Sequence, residues 1–322
     1  MTITVLWMYI LFWSCVIGLC IGSFLNVVIM RAFDKESIVA PASKCPKCNT
    51  FLKWYQNIPL FSYIFLKGRC AYCHEKISIQ YPIVEFVTMV LYILTFVKFG
   101  YSWNTVALML IVPMFIVISA TDIKEQVIFD AHSYTFIGMA LLYNAFNIGN
   151  LYDGKIWILN ASLVNALIGL VLGVIIMEVL ARVGYVFAGK RAFGEGDSYI
   201  AAGLGALLGY QLLIPALVYG FVIQVVMVIP LYLWKLFKNK DFSTMFSLIF
   251  FFAYSIIFKY LETSGIFRNN YIFIPCALLL MGLGIWLCRG LLSAVKTPEK
   301  LTYLPFGPAM FAGAILVIYF LH

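Results

Sequence analysis

Two aspartates stand at the ends of long apolar stretches, Asp122 in Ala-Thr-Asp-Ile and Asp197 in Gly-Glu-Gly-Asp. A carboxylate at a membrane boundary is costly unless it has a function or a partner. In peptide hydrolysis by two aspartates, one ionised group takes a proton from water and one protonated group polarises the carbonyl. The pair therefore predicts an aspartic protease at the membrane face. Gly194 and Gly196 would let the backbone beside Asp197 bend and approach a substrate closely.

Other interpretations of these acids stay open at the level of the residues alone. An aspartate at a helix start can be an ordinary cap. Asp130 follows Asp122 by eight residues, which in one continuous helix would separate them by about 12 Å along the axis. The main alternative is a transporter or channel that uses Asp130, His132 and Glu178 as intramembrane polar sites. A secretion-assembly membrane protein is a third possibility.

The composition places the chain in a membrane. Of its 322 residues, 63% are hydrophobic and 11% are charged. Apolar runs of about twenty residues recur, long enough to cross a bilayer as helices. We therefore expect an all-α multi-pass transmembrane bundle, in which the first segment is a retained helix. The net charge of +8 is not evidence for a nucleic-acid partner, because basic residues set the orientation of a membrane protein.

The distribution of basic residues predicts the orientation. With the N-terminus outside, 18 of the 22 Lys and Arg residues fall in cytoplasmic connections, which is a strong bias. Both Asp122 and Asp197 are then at the cytoplasmic ends of their helices. The piece 198–210 is short, which favours a re-entrant or broken helix. The predicted spans are 5–30, 83–99, 103–121, 127–148, 156–182, 198–210, 211–234, 243–261, 271–288 and 303–321.

The orientation makes residues 31–82 a cytosolic insert with two C-x2-C pairs, Cys45 with Cys48 and Cys70 with Cys73. Each pair can present two thiolates to one ion, and two pairs complete a tetrahedral site. About fifty residues have too little core to fold alone, so a structural zinc ion is expected. Disulfides or free thiols are the simpler alternative, although a reducing cytosol disfavours disulfides. An iron–sulfur cluster is a weaker option.

Three smaller expectations concern the same cysteines and their surroundings. The residues between the two pairs could form a short hairpin. His74, beside Cys73, could replace a ligand, but four cysteines already suffice. The remaining cysteines are expected to be small buried hydrophobes; they are Cys15, Cys20, Cys276 and Cys288. The chain is thus divided into a first transmembrane helix (1–30), the cytosolic insert (31–82) and a transmembrane peptidase bundle (83–322).

Taken together, the residues resemble the prepilin peptidase (type IV leader peptidase) family. The resemblance rests on five motifs in order over residues 20–313. They are Ile-Gly-Ser-Phe-Leu-Asn-Val-Val at 21–28, the paired C-x2-C insert, Tyr-Pro-Ile-Val-Glu at 81–85, the Asp122 and Gly-Glu-Gly-Asp pair, and Pro-Phe-Gly-Pro at 305–308. The sequence departs from the family's common pattern at Gln80, at Thr88-Met89 and at Phe129.

The resemblance implies a bacterial inner-membrane endopeptidase with Asp122 and Asp197 as its catalytic pair. Its substrates would be prepilins or pseudopilins, as used in type IV pili or type II secretion, cleaved after a glycine at the cytoplasmic face. Membrane lipid is the other expected partner. The resemblance also implies S-adenosylmethionine-dependent N-methylation of the new N-terminus, with Glu85, Arg31 and Asn26 as possible participants.

Overall fold

The computed structural model describes residues 3–34, 37–146, 163–188, 193–238 and 305–321, with isolated positions between 242 and 282. The predicted spans 243–261 and 271–288, and the cysteines Cys276 and Cys288, lie largely or wholly outside the described residues. The described helices are α1 (Ile3–Asp34), α2 (Phe61–Phe65), α3 (Gln80–Phe99), α4 (Trp103–Glu125), α5 (Asp130–Phe146), α6 (Leu163–Ala188), α7 (Glu195–Lys238) and α8 (Gly307–Phe320), with a 3₁₀ helix at Trp54–Asn57.

Five of these helices are long and apolar enough to cross a membrane, namely α1, α3, α4, α6 and α7. Within the described ranges, the remaining regular structure consists of shorter helices and two isolated β-bridges. The expected all-α multi-pass bundle with a small cysteine-bearing insert is therefore confirmed. Its division into domains at residues 30 and 82 stays a prediction.

The chain forms two compact units. One contains residues 1–177, 195–221 and 305–322, and the other contains residues 178–194 and 222–304. Both aspartates, all four cysteines of the insert and the start of α8 belong to the first unit. Within the second unit, the Lys238 ammonium lies 5.7 Å from the centroid of the Trp234 ring, a cation–π contact.

Helices α1 and α3 pack closely because glycines remove the side chains between them. A Cβ on Gly22 would lie 2.6 Å from the Cα of Glu85, and one on Gly18 would lie 2.8 Å from the Cα of Met89. The α1–α3 pair and α4 share a buried apolar cluster that includes Ile29 and Val117. Small residues permit this approach where apolar side chains gain nothing by leaving lipid.

Helix α7 is broken about a third of the way along, as the short predicted piece 198–210 indicated. An unbroken helix of its 44 residues would be about 66 Å long, twice the hydrocarbon core of a bilayer. Gly209 has φ 72° and ψ 171°, which are not helical values. Glycine tolerates this conformation because it has no Cβ. A shorter part (195–208) and a longer part (210–238) of α7 therefore run as separate helices on either side of Gly209.

Each part of α7 packs on a neighbour through glycine. In the shorter first part, Gly205 lies against the backbone of Gly169 in α6. In the longer second part, Gly220 lies against Ala309 in α8, and Gly313 of α8 lies against Ala216 and Gly220. Residues 200–208 are all buried. The first part of α7 is consequently a central helix of its unit.

The insert contains two short loops joined by helical turns, so the expected hairpin between the cysteine pairs is wrong. Each loop closes with its own β-bridge, Lys44 with Phe51 and Arg69 with Lys76. Between them, the backbone N–H of Phe61 donates to the carbonyl of Pro59, and α2 follows. Pro59 has no N–H to donate to a strand ladder, which favours this turn over a paired strand.

We predict that Gly205→Ala destabilises the fold, whereas Gly138→Ala does not. A Cβ on Gly205 would overlap the carbonyl of Gly169, but a Cβ on Gly138 would meet no atom of the described chain within 4 Å. Overpacking costs about 1–3 kcal/mol, while an unobstructed Gly-to-Ala change in a helix gains about 0.5–1 kcal/mol. Thermal unfolding in detergent checks both variants. Equal melting temperatures for the two would contradict the proposed packing.

Candidate active site and metal centre

Asp122 lies in the last turn of α4, where its side chain is only 5% exposed. The helix ends immediately afterwards, because Gln126 takes a left-handed conformation and donates its N–H to the carbonyl of Asp122. The backbone N–H of Gly307 donates to Oδ2 of Asp122 at 3.0 Å. That N–H belongs to the first turn of α8, whose unpaired amides and dipole favour an anion.

The closeness of this contact favours glycine at position 307. A Cβ there would lie 2.6 Å from Oδ2 of Asp122 and 3.0 Å from Cδ1 of Ile200. The Pro-Phe-Gly-Pro motif therefore starts α8 directly beneath the carboxylate of Asp122. Sequence reasoning identified the motif without assigning it a role. The signal available was a glycine at the start of a helix, and its partner is 185 residues away.

Asp197 lies in the first turn of α7 and is 8% exposed. It is the third residue of the helix and lies inside the first turn, so it is not the N-cap. Ile200, one turn later, is fully buried and lies against Gly307. The end of α4, the start of α7 and the start of α8 thus converge around Gly307. This convergence brings the two segments that bear the predicted catalytic aspartates to one place.

Gly196 has a packing role. A Cβ on Gly196 would lie 2.7 Å from Cβ of Ile128, in the linker between α4 and α5. Two further contacts hold α5 against α7. The rings of Tyr134 and Tyr199 are 5.5 Å apart, and Phe136 lies against Gly203. Glycine at position 196 therefore lets the Gly-Glu-Gly-Asp segment pack on the linker that follows Asp122.

Asp130 does not belong to the same helix as Asp122. It is the first residue of α5 and is exposed. Because α4 ends at Glu125, the geometry of one continuous helix, which set the spacing of about 12 Å, does not apply to this pair. The exposed position distinguishes Asp130 from the two buried aspartates.

The four cysteines of the insert form one cluster. Their Sγ atoms all lie within 4.8 Å of one another, and those of Cys45 and Cys73 are 3.9 Å apart. A tetrahedral zinc ion with bonds of about 2.3 Å requires sulfurs about 3.8 Å apart. The cluster can therefore hold a metal ion, and its four sulfurs would leave no open coordination position.

The two cysteine loops repeat the same backbone geometry. Asn49 donates its N–H to the carbonyl of Cys45, and His74 donates its N–H to that of Cys70. Both residues have φ 56°, a left-handed conformation that asparagine and histidine adopt more readily than most residues. His74 thus occupies the turn position that corresponds to Asn49. This assigns it a role in the backbone turn, and the four cysteines account for the ligand set.

The surroundings of the cysteine thiols change their pKa values in ways that favour cation binding. Hydrogen bonds with the side chain and backbone of Thr50 lower the pKa of Cys48 to about 6. A backbone hydrogen bond with Glu75 lowers that of Cys73, but desolvation and the neighbouring thiols outweigh it and raise its pKa to about 11. The neighbouring thiolates oppose a further negative charge on Cys73, and a bound cation would remove this opposition.

The other described cysteines lie on α1. Cys15 is half-buried and Cys20 is exposed. The expectation that Cys20 is a buried hydrophobe is therefore wrong. A weakly polar thiol is tolerated on the outside of a membrane helix because the surrounding lipid is apolar.

Two family models match this chain, one over the cysteine insert and one over the segments with the two aspartates. The family model of the bacterial peptidase A24 N-terminal domain matches residues 16–99. The model of the type IV leader peptidase family matches residues 109–229, which contain Asp122 and Asp197. A prepilin leader peptidase/N-methyltransferase of Neisseria gonorrhoeae is 32% identical over 254 residues, or 71% of this chain and 84% of that protein. The chain belongs to the type IV leader peptidase family.

Two further relatives carry the same name. The protein of Myxococcus xanthus is 35% identical over 206 residues, which cover 64% of this chain and 58% of that protein. The protein of Klebsiella pneumoniae is 32% identical over 214 residues, or 65% of this chain and 88% of that protein. The search of solved structures found no match. The predicted membership of the leader peptidase family is confirmed.

For this leader peptidase family member, we predict that Cys73→Ser lowers the bound metal well below one ion per chain, whereas His74→Asn leaves it unchanged. The serine removes one of four sulfur ligands, while asparagine preserves the left-handed turn seen at Asn49. Elemental analysis of the purified full-length chain measures both. Full metal content in Cys73→Ser, or its loss in His74→Asn, would contradict the four-cysteine site.

Proposed function

We propose that the chain is an aspartic endopeptidase that removes the leader of prepilins or pseudopilins at the cytoplasmic face of the bacterial inner membrane. The observation that carries this proposal is the convergence of α4, α7 and α8 around Gly307. There the buried Asp122 lies near the segment that carries the buried Asp197. The chain also belongs to the leader peptidase family.

The proposed chemistry needs the carboxyl groups of Asp122 and Asp197 to meet in one enclosed place. Like charges at short range cannot both ionise cheaply, so the pair holds one proton between its members. The ionised member takes a proton from the attacking water, and the protonated member polarises the scissile carbonyl and then supplies a proton to the leaving amine. The proton belongs to the coupled pair, so neither residue alone is the acid. The Gly307 N–H fixes the orientation of the Asp122 carboxylate.

The substrate geometry agrees with the charge-derived orientation. A basic leader followed by a hydrophobic helix would enter with its cleavage site at the cytoplasmic boundary, where both aspartates are expected. A glycine before the cleaved bond would admit the carboxylates closely, since it has no side chain. The hydrophobic part of the substrate would pack laterally against the bundle, where close helix packing replaces a soluble cleft.

The cysteine cluster would hold a structural zinc ion through Cys45, Cys48, Cys70 and Cys73. Four thiolates fill its tetrahedral shell, so the ion would stabilise the fold of the insert. The names of the relatives support a second step, N-methylation of the new N-terminus with S-adenosylmethionine as the methyl donor. Among the described residues, no glycine-rich loop after a strand offers a cofactor cradle, so no residue is assigned to that step.

The decisive test is the cleavage of a prepilin-like peptide by the purified full-length chain. We expect Asp122→Asn and Asp197→Asn each to lower the rate by about 100-fold or more, because general acid–base catalysis contributes at least that factor. Asp130→Asn is the matched control, since this aspartate is exposed on α5. Mass spectrometry identifies the product. Retained cleavage in either buried variant, or equal loss in the control, would contradict the assignment.

A second prediction concerns Gly307. The Asp122 carboxylate lies against this glycine, so the methyl group added in Gly307→Ala would displace it. We expect this variant to cleave at least about tenfold more slowly. Gly138→Ala should cleave normally, as a Cβ there meets no described atom within 4 Å. Rates are compared at equal amounts of folded protein. Normal cleavage by Gly307→Ala would show that the contact does not position the carboxylate.

A further inference from the structure

The insert exposes an apolar surface that the peptidase mechanism does not use. Trp54 and Phe65 are each 80% exposed, Ile64 is 67% exposed and Phe61 is 55% exposed. We call these four side chains the insert's apolar surface. Phe61, Ile64 and Phe65 are three and four residues apart on α2 and so share one of its faces. Exposed apolar groups that lie together in this way mark a site of interaction.

The position of this surface along the membrane normal is fixed by a buried carboxylate. Oε2 of Glu85 accepts the backbone N–H of Leu60 at 2.8 Å, directly before α2. Leu60 has φ 59°, a positive value that is rare for a branched residue and needs support from its surroundings. The Glu85 contact therefore ties the start of α2 to α3.

The position of Glu85 along α3 indicates how deep in the membrane this contact lies. The 20 residues of α3 rise about 30 Å, which equals the hydrocarbon thickness of a bilayer. Glu85 is the sixth residue of this helix, so it belongs to its first two turns. Long side chains in helices also lean toward the N-terminus. The start of α2 is thus held near the membrane boundary at the N-terminal end of α3.

The charge of the insert suits an anionic surface. Residues 31–82 contain eight basic side chains against three acidic ones. The basic residues are Arg31, Lys35, Lys44, Lys47, Lys53, Lys67, Arg69 and Lys76, and the acidic residues are Asp34, Glu36 and Glu75. Lys53 directly precedes Trp54, and Lys67 follows Phe65 by two residues. Aromatic residues with flanking lysines are typical of segments that lie in the headgroup region of a membrane.

We propose that residues 54–65 anchor the insert in the lipid leaflet that α3 enters with its N-terminal end, which the charge distribution predicts to be the cytoplasmic one. The insert's apolar surface lies among the acyl chains just below the headgroups, and Lys53 and Lys67 bind anionic headgroups. Glu85 is then a positioning residue for this anchor through Leu60. The proposal uses neither aspartate, so it stands or falls independently of the peptidase assignment.

The test places the photo-crosslinker p-benzoylphenylalanine at position 65 in the full-length chain, reconstituted in vesicles of phosphatidylglycerol and phosphatidylethanolamine. The control carries the same group at position 47, an exposed site in the first cysteine loop. Mass spectrometry counts lipid adducts. We expect at least fivefold more lipid adduct at 65 than at 47. Equal yields at both positions would overturn the proposal.

The competing occupant is the hydrophobic helix of a substrate. Adding a prepilin separates the two, because a lipid anchor keeps its lipid adducts. If prepilin replaces lipid as the crosslinked partner at position 65, the surface is a substrate site and the lipid proposal is wrong. This outcome does not depend on whether cleavage occurs.

Two variants test the charges and the depth. Lys53→Gln with Lys67→Gln should abolish the preference of the position-65 adduct for phosphatidylglycerol over phosphatidylethanolamine. Glu85→Leu should lower the adduct yield in both lipids, because Leu60 loses its acceptor. Unchanged metal content confirms that the insert remains folded in each variant. An unaltered lipid preference in the lysine variant, or an unaltered yield in Glu85→Leu, would contradict the anchor.

Discussion

The bond between the Gly307 amide and the Asp122 carboxylate sets the constraint on which the site depends. A carboxylate inside a membrane bundle is costly without a partner, and Asp122 is almost fully buried. The partner here is a backbone N–H at the start of α8. A backbone donor cannot rotate away, and it carries the dipole of its helix. Helix α8 must therefore begin at the depth where α4 ends, and a side chain at its first residue would crowd the carboxylate.

Glycine contacts make this convergence possible elsewhere in the same unit. Helices in lipid gain little from burying apolar side chains against each other, so close backbone approach has to supply the attraction. Gly205 provides that approach between α7 and α6, and Gly220 and Gly313 provide it between α7 and α8. The break at Gly209 lets one continuous segment serve both contacts. The start of α7, with Asp197, is then held by packing on either side of the break.

The sequence predicted the features that depend on local pattern. Apolar length predicted most of the described helices, and the short 198–210 piece predicted the break in α7. Cysteine spacing predicted the cluster that the fold assembles. The sequence did not predict contacts between residues that are far apart in the chain. No periodicity links Gly307 to Asp122, Ile128 to Gly196, or Leu60 to Glu85, because each pair meets only after the helices pack. The hairpin expected in the insert is absent there because Pro59 and Leu60, which has a positive φ, turn the chain into α2.

The insert is held by two restraints of different chemistry. The cysteine cluster closes its loops, since Cys45 and Cys73 bring the two ends of the intervening segment together. Glu85 of α3 holds the middle of that segment at Leu60. These restraints leave Trp54 and Phe65 exposed. The proposed lipid anchor would bury them, because the position of the insert at the start of α3 makes lipid the nearest apolar phase.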